Sequence, residues 1–255
     1  MNQFNKPPLG SQIDPQHPLS QGCVMALLML EGAGNRTYDL THNGNDGVLT
    51  NGPLWKPGRN GAEIEFDGSN DYVDCGSSAS LHLMGDMTCK LSVKWAEFPV
   101  STHRMLIGTS YAKEYVLQNY KVNNRFLFWH GGSAVLIWYV SSATIDTWYH
   151  FVVVRDTATK KIYLYKDGIL AVTSPVYAVD PVLGTKNLRI GRTGGEAQQY
   201  WKGSIDDVRI WDRALSPDEV QDLFINPYGF IYQPQKYWLM PQGVTIPPHL
   251  FRRVA

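Results

Sequence analysis

The chain has 255 residues, 44% of them hydrophobic and 12% aromatic, which is enough apolar material for one sizeable core in a single domain. Lys+Arg and Asp+Glu both total 23 and the formal net charge is +0; with no basic stripe or cluster to neutralise phosphates, nucleic acid is not expected as a partner. The longest apolar run, residues 24–30, is far too short to span a bilayer, and residues 1–12 are polar with paired prolines, so neither a membrane partner nor a secretory signal is expected.

Residues 1–22 read as an extended arm, because Pro7, Pro8, Pro15 and Pro18 exclude regular helix and discourage a central strand. Residues 24–30 form a first strand, and GAGN at 32–35 makes its turn. The loop 38–47 follows, with Asp39, Thr41, Asn43 and Asn45 alternating around glycines. Their oxygens can converge on a hard cation, calcium being the natural one. The same residues also suit a polar turn in which Asn and Asp bond the local backbone. Both readings stand at this point.

Glu63, Glu65 and Asp67 recur at every second position of a predicted strand and therefore share one face. Gly68 to Asp71 turns the chain. Cys23, Cys75 and Cys89 are odd in number and lack metal-type spacing, so free buried thiols are expected. From Cys89 to Val140 the text is strand-like, with Gly131-Gly132 linking two aromatic-aliphatic runs as a hairpin. With the turn at the glycines, Phe126, Phe128, Val135, Ile137 and Tyr139 share one face, and Trp129, Leu136 and Trp138 the other. Hydrophobic residues on both faces mean either a covered sheet or exposed aromatics for binding. Trp129, Trp138 and Tyr139, with Trp201 further on, are the candidate glycan-binding residues, since aromatic faces suit sugar C–H faces; burial within the sandwich is the alternative.

Residues 148–155 and 161–165 form the clearest hairpin, followed by a turn at 166–168 and strands at 169–173 and 188–192. The closing strand then holds a conflict of parity. Ile205, Asp207, Arg209 and Trp211 fall on one face, Asp206, Val208 and Ile210 on the other, so a bulge near Asp206-Asp207 or burial of both faces is required. An inward Asp207 needs a partner, either a metal held with Asp39, Asn43 and Asn45 or an arginine; the metal is the expectation. Ser216, Pro217 and Glu219 supply an N-cap, a first-turn proline and a capping box, starting a helix over 217–224 whose Val220, Leu223 and Phe224 must dock on a sheet. The tail 226–255 lacks periodicity yet carries Tyr228, Phe230, Ile231 and Trp238, too apolar to remain free.

The segment 200–224, together with YDLTHNGNDG at 38–47, FDGSNDYVDCG from Phe66 and WYHFVVVRD…KKIYLYKDGILA from Trp148, resembles laminin-G-like and pentraxin-like domains of the concanavalin A-like lectin/glucanase group. The resemblance implies an all-β fold: a two-sheet antiparallel jelly-roll sandwich over residues 23–225, one short C-terminal helix, and extended arms at 1–22 and 226–255. It also implies a structural calcium near the 38–47 loop and the closing strand. The group's retaining glucanases place Asp between two glutamates on the acidic strand, whereas here the order is Glu63, Glu65, Asp67, so no catalytic residues are expected. Only Glu196 is acidic in the loop that supplies pentraxin calcium ligands. The flanks HPLSQG and NPYGF resemble proteins encoded by bacteriophages, which implies a virion component, assembled in the host cytoplasm and held by its arms to further copies of itself or to capsid or tail proteins, with glycans as ligands. A free lectin and a glycan-cleaving hydrolase are the alternatives.

Overall fold

Along Met87–Trp95 the residues Met87, Cys89, Leu91, Val93 and Trp95 alternate with Thr88, Lys90, Ser92 and Lys94, so the strand offers one apolar face and one polar face. The computed structural model describes residues 5–98, 103–110, 113–120, 125–139, 143–194 and 199–232. Two 8-stranded antiparallel sheets pack face to face, with the apolar side of Met87–Trp95 between them. The first sheet runs Ser133–Tyr139, Arg125–His130, Val116–Tyr120, Arg104–Gly108, Arg189–Ile190, Tyr72–Asp74, Gly47–Thr50, Arg36–Thr37. The second runs Ile169–Thr173, Lys161–Lys166, Trp148–Asp156, Met87–Trp95, Lys202–Trp211, Ala62–Asp67, Leu54–Pro57, and Cys23–Leu27 pairs with the far half of Lys202–Trp211. The expected sandwich is the observed one. Cys23, Cys75 and Cys89 are free and buried.

The inter-sheet core gathers Phe66, Trp95, Phe126, Phe128, Phe151, Trp201, Ile205, Val208 and Ile210. Ile205 and Val208 both face inward although three positions apart, because the pairing slips between Asp206 and Arg209 and Asp207 takes a left-handed φ of 49°. The bulge demanded by the parity conflict is present, and it turns Asp206 and Asp207 together onto the outer face.

That outer face carries a second core. Val152, Val154 and Trp211 point outward and meet Leu19, Leu28, Leu215, Val220, Leu223 and Phe230. The helix α1 (Pro217–Ile225) begins in a complete capping box between Ser216 and Glu219. It lays Val220 and Leu223 on the sheet. Among the described residues no helix is long and apolar enough to cross a membrane.

Both terminal segments fold back on this same face. Lys6 pairs with Asp206, Trp211 Nε1 donates to the Leu19 carbonyl at 2.7 Å, and Gln12–Ile13 forms a two-stranded ladder with Ile231–Tyr232. Over residues 5–22 and 226–232, the segments expected as arms for a neighbour therefore cover their own sheet; 233–255 lie outside the described residues. Leu19, Phe230 and Ile231 of these segments are buried within the chain, while Leu9 and Tyr232 remain exposed.

One face assignment is corrected. Phe128 pairs with Leu136, and the register shifts before Trp129, which then pairs with Ala134. Leu136 thus shares the inner face with Phe126 and Phe128 rather than with Trp129, because antiparallel partners directly opposite one another point to the same side and the bulge displaces the hairpin by one residue.

Candidate functional site: a groove on the first sheet

With Phe126 and Phe128 turned inward, the alternate positions Arg125, Leu127 and Trp129 lie on the outer face of the first sheet. Across the ladder, Gln118 stands opposite Leu127 and Tyr120 opposite Arg125. His103 stacks on Tyr120 with ring centroids 4.1 Å apart and planes 19° apart, and the Arg125 guanidinium lies 5.3 Å from the other ring centre of this group, that of Tyr120. Gln199 borders the same cavity of about 380 Å³. Its Oε1 has no hydrogen-bond partner among the described residues.

Trp129 lines this groove half-buried. Pairing with Ala134 puts a side chain of one methyl group beside the indole. Of the other aromatic candidates, Trp138 pairs with Phe126 and Tyr139 with Arg125; their side chains lie outside the described residues. Trp201 is a correction. It is 0% exposed, its ring centroid 5.7 Å from that of Trp95 in the inter-sheet core, and so no sugar can reach it. Its parity with Ile205 turns it inward. Sequence reasoning missed Tyr120, Gln118, His103 and Arg125, which become neighbours only through strand pairing.

Asp39, Asn43 and Asn45 come together in one loop, while Asp207 is held by Lys90 and Arg209. Asp39 Oδ1 accepts from the backbone N–H of Ala26 at 2.8 Å and of Thr41 at 3.0 Å. Its Oδ2 accepts from Thr41 Oγ1 at 2.6 Å and the Asn45 N–H at 3.0 Å. Asn43 and Asn45 turn their amide N–H groups, at 3.1 and 2.7 Å, onto the Val24 carbonyl. The loop is a hydrogen-bonded turn around one carboxylate. Asp207 instead accepts from Arg209 Nε at 2.6 Å and from Lys90 Nζ at 2.6 Å. Two cations in contact with this carboxylate do not fit a divalent ion. Among the described residues, no three or more His, Cys, Asp or Glu side chains are grouped to hold a metal. The expected result is a melting temperature that is the same in excess calcium as in excess chelator; a rise with calcium would reinstate the ion at the 38–47 loop.

A family model described as concanavalin A-like lectin/glucanases superfamily matches residues 67–221. The chain belongs to this superfamily. No curated protein sequence matches it. Among solved structures, the binding domain of Paraclostridial Mosquitocidal Protein 1 superposes with a TM-score of 0.65 at 16% identity, over 82% of this chain and 53% of that one. The chain thus spans about half the length of that domain. Domain 4 of AbnA, a GH43 extracellular arabinanase from Geobacillus stearothermophilus, in complex with arabinotriose, matches with a TM-score of 0.59 at 17% identity, over 79% and 97%. A Trypanosoma rangeli sialidase mutant displaying trans-sialidase activity matches with 0.61 at 16%, over 81% and 33%.

The acidic strand lies on the outer face of the second sheet, as its period predicts, since Ile64 and Phe66 point into the core. Glu63 is 2% exposed and accepts from Lys94 Nζ and Ser204 Oγ, both at 2.8 Å. Glu65 faces Lys56 at 3.3 Å. Asp67 accepts from the Ser69 N–H at 2.7 Å and so serves the following turn.

Proposed function

We propose that this protein is a non-catalytic, glycan-binding surface component of a bacteriophage particle, and that the glycan lies in the groove of the first sheet across Trp129 and Tyr120. The observation that carries the reading is the groove itself: aromatic rings of which Trp129 is half-buried, bordered by the hydrogen-bonding groups of Gln118, Arg125 and Gln199 in about 380 Å³. Aromatic faces supply apolar area for sugar C–H groups, and planar amides and guanidinium supply directional bonds to hydroxyls. The arabinotriose complex of a similar fold supports a sugar as ligand. The engagement of Glu63, Glu65 and Asp67 by Lys94, Lys56 and the Ser69 turn supports a structural rather than catalytic part for them. The particle setting is supported by the HPLSQG and NPYGF flanks; the partners there are further copies of the chain or capsid or tail proteins.

A glycan array with the full chain is the test. Binding is expected, and Trp129→Ala is expected to weaken it about 30-fold, the roughly 2 kcal/mol of a central aromatic anchor, without loss of fold. No binding across the array sinks the glycan reading. Release of reducing ends, abolished by Glu65→Gln, sinks the non-catalytic one. Mass spectrometry of purified particles tests the setting.

A further inference from the structure

His150 lies on the outer face of the second sheet, directly opposite Ser92 on the neighbouring strand. The residue is 9% exposed, and neither ring nitrogen has a hydrogen-bond partner among the described residues. Burial first, and then the neighbouring Lys90, hold its pKa well below the ordinary histidine value, so the ring is neutral and presents one donor and one acceptor. A buried polar group without a partner costs free energy, which a bound molecule able to donate and accept hydrogen bonds relieves.

The ring borders a cavity of about 360 Å³ between the sheet and α1, on the face of the sandwich opposite the Trp129 groove. Phe224 closes it from the helix, 5.6 Å from the His150 ring between centroids, and Trp148 contributes a second aromatic wall. Its charged lining is balanced: Arg59, Lys90 and Lys166 against Asp167, Asp206 and Asp207. Those charges are also spoken for, Lys90 by Asp207 at 2.6 Å, Lys166 by Asp167 at 3.1 Å and Asp206 by Lys6. A cation or an anion meets as many like charges as opposite ones. A wholly apolar guest leaves His150 unsatisfied. A hydroxyl, which both donates and accepts, fits the neutral imidazole, and the Ser92 hydroxyl, which accepts from Lys90 Nζ at 3.2 Å, keeps its own hydrogen to give.

We propose that this cavity is a second binding site, for a small neutral polyhydroxylated molecule of monosaccharide size. The His150 ring nitrogens and Ser92 hold its hydroxyls, and Phe224 and Trp148 cover its apolar face. The site is independent of the Trp129 groove, so either proposal can fail alone.

The test follows the imidazole ¹⁵N signals of the full chain during titration with glucose, galactose, mannose, arabinose and N-acetylglucosamine, with phosphate and acetate as charged probes. At least one neutral sugar is expected to shift the His150 signals saturably, in the Trp129→Ala chain as well. His150→Phe keeps a ring against Phe224 while removing both nitrogens; it is expected to weaken binding at least tenfold with an unchanged or higher melting temperature. If that variant does not fold, Ser92→Ala is expected to show the same loss of affinity. The proposal is overturned if no sugar moves the His150 signals at concentrations limited only by solubility, if phosphate or acetate moves them instead, or if neither variant weakens the sugar.

Discussion

Asp207→Asn is expected to cost about 3–5 kcal/mol, the loss typical of removing one partner from a buried ion pair. Asp207 is 3% exposed, and Lys90 and Arg209, at 1% and 0%, both depend on its carboxylate. Asparagine tolerates the left-handed φ of 49° at this position, so the substitution removes charge without straining the bulge. For a chain of this size the melting temperature should fall by roughly 10 °C. A loss below about 1 kcal/mol would show that the two cations find other partners. Adding Lys90→Met to Asp207→Asn should recover part of the loss, and the double-mutant cycle measures how much of it belongs to this pair.

The neighbouring carboxylate behaves in the opposite sense toward pH. Burial raises the Asp207 carboxyl, but Arg209 and then Lys90 outweigh it and hold the group well below the usual range; its contribution is present above the unfolded value near 3.9 and is lost as pH falls toward the folded one. For Asp206, burial dominates the offsetting Lys6 and pushes the carboxyl up to about 6. Between about pH 4 and 6 the folded state then binds more protons than the unfolded state at this site, so stability decreases as pH rises through that window. Denaturant titrations as a function of pH should show this slope in the parent chain and its absence in Asp206→Asn.

Phe230→Ala is expected to cost about 3–5 kcal/mol, the range for deleting a buried aromatic side chain. Phe230 is 0% exposed, with the Arg209 guanidinium 5.1 Å from its ring centroid and the His17 ring 5.8 Å away. Its carbonyl accepts from the Asp14 N–H at 2.8 Å. One ring therefore pins the C-terminal segment, the N-terminal segment and the guanidinium of the buried charge network. Loss of the ring should also open residues 5–22 to limited proteolysis, whereas Tyr232→Ala, at a position 56% exposed, should change stability by no more than about 0.5 kcal/mol. A Phe230→Ala chain as stable and as protease-resistant as its parent would mean that the terminal segments are not part of this core.

Local pattern determined much of this molecule. Alternation of period two marks Met87–Trp95 and Trp148–Asp156 as strands with apolar inner faces, Ser216 to Glu219 start the helix through contacts three residues apart, and the clash of parities at Asp206-Asp207 announces the bulge. These features depend on residues close in sequence, so the sequence carries them. Periodicity separates the two faces of a strand but does not say what covers each face. Only the packing of the sheets turns Trp201 into core and leaves Trp129 half-buried beside Ala134. The same holds for charge. The sequence posed Asp207 as a buried carboxylate needing a partner, and the answer, Lys90 from the adjacent strand with Arg209 two residues on, came from pairing across 117 positions of chain. The groove and the His150 cavity are likewise tertiary in origin, because the first is bounded by residues of separate strands and loops and the second by strands and the helix, which meet only once the sandwich has closed.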